Sequence, residues 1–143
     1  MNVMNAQVDL PYLAGLIDAD GHVGLHKVGE GRYAPQLSFV NTSSELIDLF
    51  QFYLGGQVYE KKKVKEEHTT TYEVVVRFNE YFLKACGVIL PFLRLKKTKL
   101  LIAQEYAESI RDTNGKKLTP EVKAYRKNLR EIWENTPIEM RIN

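Results

Sequence analysis

The stretch LPYLAGLIDADGH, Leu10 to His22, decides how this chain is read. Its leucines and Ile17 supply apolar faces at helical spacing, with Asp9 placed to cap and Pro11 in the first turn. A helix is therefore expected from about Leu10 to Ala19, stopped by Gly21. Two features fit an ordinary core helix badly. Gly15 stands mid-helix, where glycine costs roughly 1 kcal/mol against alanine. With Ala19 one turn later, it leaves room for another helix to pack closely. Asp18 and Asp20 lie at the C-terminal end, where the helix dipole already disfavours negative charge. A divalent cation would reverse that penalty, because hard cations take carboxylate and carbonyl oxygens. One carboxylate is a thin site; two copies of the helix, packed through Gly15 and Ala19, would bring two Asp20 side chains together. Asp-Ala-Asp-Gly can equally be an Asx turn ending a helix. The stretch occurs once in the chain.

Beyond His22 the apolar period shortens. HVGLHKV and APQLSFVN alternate around GEGRY, which predicts a β-hairpin. Thr42 and Glu45 form a capping box that opens a helix through SSELIDLFQFYL to Gly55-Gly56. QVYEKKK and TTTYEVVVRF, joined by VKEEH, make a second hairpin. Asn79 can cap a short helix, EYFLKAC, ended by Gly87, and a longer helix follows Pro91. Thr119 and Pro120 start a last helix with Val122, Tyr125, Leu129 and Ile132 on one face. The order αββαββα plus two helices predicts one α+β domain over residues 1–143, built on a four-stranded sheet.

The strands carry a second pattern. Val23, Leu25, Leu37 and Phe39 share one parity, while His22, Gly24, His26, Gln36 and Ser38 share the other. Val74, Val76 and Phe78 alternate with Glu73, Val75 and Arg77. One sheet face then buries core and the other shows donors, acceptors and small residues. Such a face suits a DNA groove; it is also what any half-solvated sheet shows. His22 and His26 at i, i+4 on a strand stand roughly 10 Å or more apart, which argues against a shared ion and for separate hydrogen-bonding groups.

At 143 residues and 44% hydrophobic, the chain has enough material for one ordinary core. The longest apolar run, GVILPFL, is too short to span a bilayer and is broken by Pro91. The N-terminus lacks the basic and apolar regions of a signal peptide, and Cys86 is single, so an intracellular setting is expected. Net charge is +2, but unevenly spread: residues 1–60 hold two Lys/Arg against seven Asp/Glu, and residues 61–143 hold eighteen against eleven. Basic clusters at Lys61–Lys65, Arg94–Lys99 and Arg111–Arg130 suit a polyanion or a solvated surface alike.

LAGLIDADG, Leu13 to Gly21, matches letter for letter the signature of the LAGLIDADG homing endonucleases. The element order resembles that family's αββαββα core with its saddle-like antiparallel sheet, and the single motif resembles its homodimeric branch. The resemblance implies a homodimeric, site-specific double-strand DNA endonuclease, dependent on a divalent metal, first of all Mg2+. It also implies a long, roughly palindromic target and an intron- or intein-borne setting. RNA-splicing maturases, with intron RNA as partner, and non-cleaving DNA-binding regulators share the fold and are the alternatives. Carried over residue by residue, Asp20 becomes the metal ligand, with the Ala19 carbonyl as companion. Asp18 becomes a structural neighbour. Leu13, Gly15, Leu16 and Ala19 become the dimer interface. Asn41 stands where the family often has glutamine near the hydrolytic water. PFLRLKKTK resembles the family's PFL-plus-lysine stretch and points to Lys96 as an active-site lysine, with Lys97 beside it. The expected DNA contacts are His22, Gly24, His26, Gln36, Ser38, Lys61, Lys62, Glu73, Val75, Arg77 and Lys97.

Overall fold

A computed structural model describes residues 4–61, 65, 69–77 and 79–137. The elements run α1 (Ala6–Asp20), β1 (Gly21–Gly29), β2 (Arg32–Asn41), α2 (Ser44–Leu54), β3 (Gln57–Lys61), β4 (Thr71–Val76) and α3 (Asn79–Ile89). A 3-10 turn at Leu90–Phe92 then leads to α4 (Lys97–Asp112) and α5 (Pro120–Asn135). The four strands pair antiparallel in the order β1-β2-β4-β3. The α+β class, the four-stranded sheet and the element order are as the sequence predicts.

The two hairpins pair through β2 and β4, so register fixes which side chains share a face. Val23, Leu25, Leu37, Phe39, Val74 and Val76 fall on the inner face. They join Leu13, Ile17, Ile47, Phe50, Phe82, Ile89 and Leu100 from α1 to α4 in one core. Phe39 and Phe50 stack there with ring centroids 5.9 Å apart. The helices thereby hold the sheet from one side and leave its other face to carry the polar set.

The helix ends show what the sequence did not. Asn5, whose side chain accepts from the Gln7 amide, caps α1 four residues before the expected start, so Pro11 lies inside the helix. Asp9 is not the cap; its carboxylate accepts from the Asn5 amide at 3.1 Å and from the Tyr53 hydroxyl at 2.8 Å, tying α1 to α2. Ser43, not Thr42, caps α2 through the Leu46 amide. Helix α3 runs through Gly87 because Ile89 still has core to fill. On α5 the packed face is rotated from the expected one: Leu129 is buried, but Tyr125 and Ile132 are exposed. Arg126, held by the Ser109 hydroxyl at 2.9 Å and its carbonyl at 3.0 Å, turns the helix that way. Arg130 over the Tyr33 ring and Lys99 over the Trp133 ring complete that contact.

Candidate metal and nucleic-acid site

Helix α1 is apolar on two sides. Leu13, Ala14 and Ile17 are fully buried in the chain's own core. Val8, Tyr12, Gly15 and Ala19, spaced by four, three and four residues, lie on an exposed stripe. Val8 and Tyr12 are more than half exposed, at 64% and 55%. A helix apolar on two sides is normally covered on both; this one is covered on one. Among the residues expected at a helix–helix interface, Gly15 and Ala19 are on the open face. Leu16 is half-buried against the core. Leu13 is a correction: at 0% exposure it belongs to the core and cannot meet another molecule.

The helix delivers Asp20 to its C-terminal end, directly before β1. Gly21 makes that junction, since a Cβ there would fall 2.8 Å from the Ile17 carbonyl oxygen. Asp20 is exposed, and its carboxylate has no hydrogen-bond or ion-pair partner among the described residues. The donor set at this end, the Asp20 carboxylate with the Ala19 carbonyl, is all oxygen and fits a hard divalent cation. Among the described residues no three His, Cys, Asp or Glu side chains gather as a metal site.

Asp18 faces elsewhere. Its two oxygens accept from the Arg94 amide at 2.9 Å and the Lys96 amide at 3.0 Å. In return the Lys96 ammonium donates to the Ile17 carbonyl at 2.8 Å and the Asp18 carbonyl at 3.0 Å. Lys96 is only 6% exposed. Burial lowers its pKa from the ordinary lysine value, against the charges of Asp18 and Asp20. Lys97, the next residue, is exposed.

Asn41 is placed differently from expectation. Its register partner is Tyr72, which puts it on the parity of Leu37 and Phe39. Its side-chain oxygen accepts from the Ser43 amide at 2.8 Å. It therefore shapes the turn into α2, and its carbonyl is spent locally.

On the outer sheet face, His22 stands opposite Ser38 and Gly24 opposite Gln36, with Ser38 opposite Val75 and Val75 opposite Gln57. His22, His26 and Arg77 are exposed, and Gln36 and Glu73 are half-buried. Ser38 and Val75, at 3% and 2% exposure, form the floor between them and present little surface of their own. The two histidine rings come to 6.0 Å between centroids, closer than the strand rise suggests. They lean together over Gly24, where a Cβ would meet His26 Nε2 at 2.5 Å and His22 Nε2 at 3.2 Å. Burial, followed by His26, Lys96 and Lys99, lowers the His22 pKa, with Glu73 opposing. The neutral ring offers one donor and one acceptor.

The structure also fixes the parity of β3, which the two adjacent apolar residues Val58 and Tyr59 hid in the sequence. Gln57, Tyr59 and Lys61 share the outer face with Glu73 and Val75. The Tyr59 hydroxyl donates to Gln57 Oε1 at 2.6 Å and accepts from Arg77 at 3.3 Å. The Arg77 guanidinium sits 5.3 Å from the Tyr59 ring centroid. Gln57 and Tyr59 are thus site-face residues that sequence reasoning missed. Lys99, on α4, is a further charge near the site that sequence reasoning did not single out: it acts on His22, and its ammonium sits 4.1 Å from the Trp133 ring centroid. Lys62 lies outside the described residues.

A family model described as a LAGLIDADG-like domain matches residues 7–89, from α1 to the end of α3. The chain belongs to the LAGLIDADG family. Solved structures extend the likeness of fold beyond the matched residues. The archaeal intron-encoded homing endonuclease I-Vdi141I, complexed with DNA, is 22% identical with a TM-score of 0.74, over 91% of this chain and 84% of that one. The homing endonuclease I-CvuI, in complex with its target in the presence of Ca, is 20% identical with a TM-score of 0.70, over 96% and 88%. The LAGLIDADG homing endonuclease I-GzeII, with its DNA target, is 14% identical with a TM-score of 0.68, and this chain spans 47% of it. No curated protein sequence gives a significant match. In family terms, the exposed stripe, Asp20 and the outer sheet face all belong to the LAGLIDADG helix and the sheet that follows it.

Proposed function

We propose that this LAGLIDADG protein is a site-specific double-strand DNA endonuclease that works as a homodimer with a divalent cation, magnesium first. The observation that carries this reading is the position of Asp20. It is an exposed, unpartnered carboxylate at the end of a helix whose outer side is apolar and uncovered. A second copy laid against Val8, Tyr12, Gly15 and Ala19 would cover that stripe and bring a second Asp20 to the same axis. Two-fold protein symmetry implies a roughly palindromic target. The DNA in the I-Vdi141I and I-CvuI complexes, and the Ca and Mg present with I-CvuI, support the choice of partner and ion.

The Asp20 carboxylate and the Ala19 carbonyl would hold the cation. When bound, it supplies a water of lowered pKa and charge stabilisation at the leaving oxygen. The protein's own residues do the rest. The outer face offers bases a row of mixed donors and acceptors: His22, His26, Gln36, Glu73, Gln57 and Arg77. Lys61 and Lys97 offer charge to phosphates. The setting we propose is intracellular DNA, with the gene carried by a mobile intron or intein. No specific observation favours the splicing or non-cleaving alternatives.

The test is selection of bound and cleaved duplexes from a randomised library in Mg2+. Cleavage of both strands at one roughly palindromic sequence is expected. Asp20→Asn should abolish cut product while retaining binding to that sequence. A D20N protein that cuts at the wild-type rate removes the metal assignment, and a library with no enriched duplex removes the function.

A further inference from the structure

We infer that Asp18 and Lys96 form a reciprocal clasp that fixes the turn carrying Ala19 and Asp20, which makes Lys96 a positioning residue. The inference rests on the function proposed above and names a device within that site. Four hydrogen bonds join two segments 76 to 79 residues apart in sequence. Each carboxylate oxygen of Asp18 takes one backbone amide from the segment leading into α4, and each is a charge-assisted bond. In the other direction, two of the three donors of the Lys96 ammonium go to consecutive carbonyls at the C-terminus of α1. Ile17 O also accepts the Gly21 amide, so the first residue of β1 and the Lys96 ammonium converge on one atom.

This geometry answers two electrostatic problems at once. The carbonyls at the end of α1 carry the negative pole of the helix, and a buried cation is the group that best suits them. The Lys96 ammonium, buried and losing water contact, needs acceptors and finds them there. Asp20 lies two residues past Asp18 on the turn thus held. A metal-ligating carboxylate must stand within about half an ångström of its productive place, and the clasp is what holds the backbone beneath it. Two donors committed to α1 leave Lys96 one N–H for anything else, whereas Lys97 and Lys99 carry charge without this commitment.

The sign of one measurement separates a clasp from a bare active-site charge. A lysine acting only as a nearby cation opposes a metal ion, so its removal would tighten metal binding. Loss of a clasp loosens it. Mn2+ is titrated into the protein held on its selected duplex, with free Mn2+ read by electron paramagnetic resonance. For K96M the clasp requires a midpoint about tenfold or more higher than wild type. An unchanged or lower midpoint overturns it. D18N tests the other half in the free protein. Amide hydrogen exchange at Arg94 and Lys96 should quicken about tenfold or more, with α5 amides unmoved. Unchanged protection at both amides overturns the clasp, and this arm stands even if K96M does not fold. If no duplex is selected, the proposed function fails, while the exchange measurement still decides whether the clasp exists.

Discussion

Gly15 gives a test in which one substitution should push two quantities in opposite directions. In the isolated chain a Cβ at Gly15 meets nothing within 4 Å. Gly15→Ala should therefore help the single chain, by the difference in helix propensity alone, about 1 kcal/mol. For a domain of this size that is a rise in Tm of about 3 °C. In the proposed dimer the same position lies in the seam between two α1 helices, next to Ala19, and symmetry inserts the new methyl twice. Overpacking costs about 1–3 kcal/mol per site, so the dimer should lose at least about 2 kcal/mol, roughly thirtyfold in Kd. Gly15→Leu should abolish it. Sedimentation equilibrium gives Kd. Denaturant unfolding at a concentration well below Kd isolates the chain's own stability, because a dimer's apparent stability depends on concentration. A G15L protein that dimerises like wild type refutes the seam. A G15A chain less stable than wild type at dilution refutes the open geometry around Gly15.

Phe50 tests the core. It is fully buried and stacked on Phe39 across the α2–β2 contact, so Phe50→Ala should cost about 3–5 kcal/mol, read as a lower urea midpoint; a loss below about 1 kcal/mol would deny the packing. Cys86 tests the pH dependence of the same core. Burial, and next the charge of Glu108, raise its thiol from 9.0 to about 12. The folded chain thus holds this proton more tightly than the unfolded one, so the contribution is complete below pH 9.0 and is lost as pH rises towards about 12. A thiol reagent at neutral pH should label Cys86 only on unfolding, and Cys86→Ala should shallow the alkaline loss of stability. Labelling of the native protein at the rate of a free thiol would contradict both.

The fold was legible because its signals are local. Val23, Leu25, Leu37 and Phe39 alternate, the Glu30-Gly31 turn lies between them, and period-2 patterning needs only neighbours to be read. The errors fell where a distant partner decided the outcome. The segment after Pro91 has helix-forming composition, yet α4 waits until Lys97. Asp18, far away in the chain, holds the amides of Arg94 and Lys96 outside a helix. Gly87 carries a stop signal, but α3 continues past it to bury Ile89. Parity on β3 was ambiguous because this edge strand is exposed along its whole length, and Val58 and Tyr59 are both apolar. Only the pairing with β4 resolves which of them faces outward.

The site was legible in a different way. Nine consecutive letters pointed to Asp20 by resemblance, but they could not say which side chains of the helix face inward. Leu13 and Gly15 both belong to the signature, and they face opposite ways: one is core, the other is open. The two aspartates also separate. A carboxylate at a helix C-terminus is unfavourable beside the dipole, and the chain tolerates two because each has a different answer. Asp18 turns away to amides across the chain, and the Lys96 ammonium neutralises the carbonyl end it leaves behind. Asp20 has no such partner within the described residues, and its charge stays exposed. A fold that satisfies one aspartate so fully, and leaves its neighbour two residues away exposed and without a hydrogen-bond partner among the described residues, keeps a carboxylate open to an external cation. Under the proposed function, that asymmetry is the physical reason for giving the ligand role to Asp20 and the framework role to Asp18.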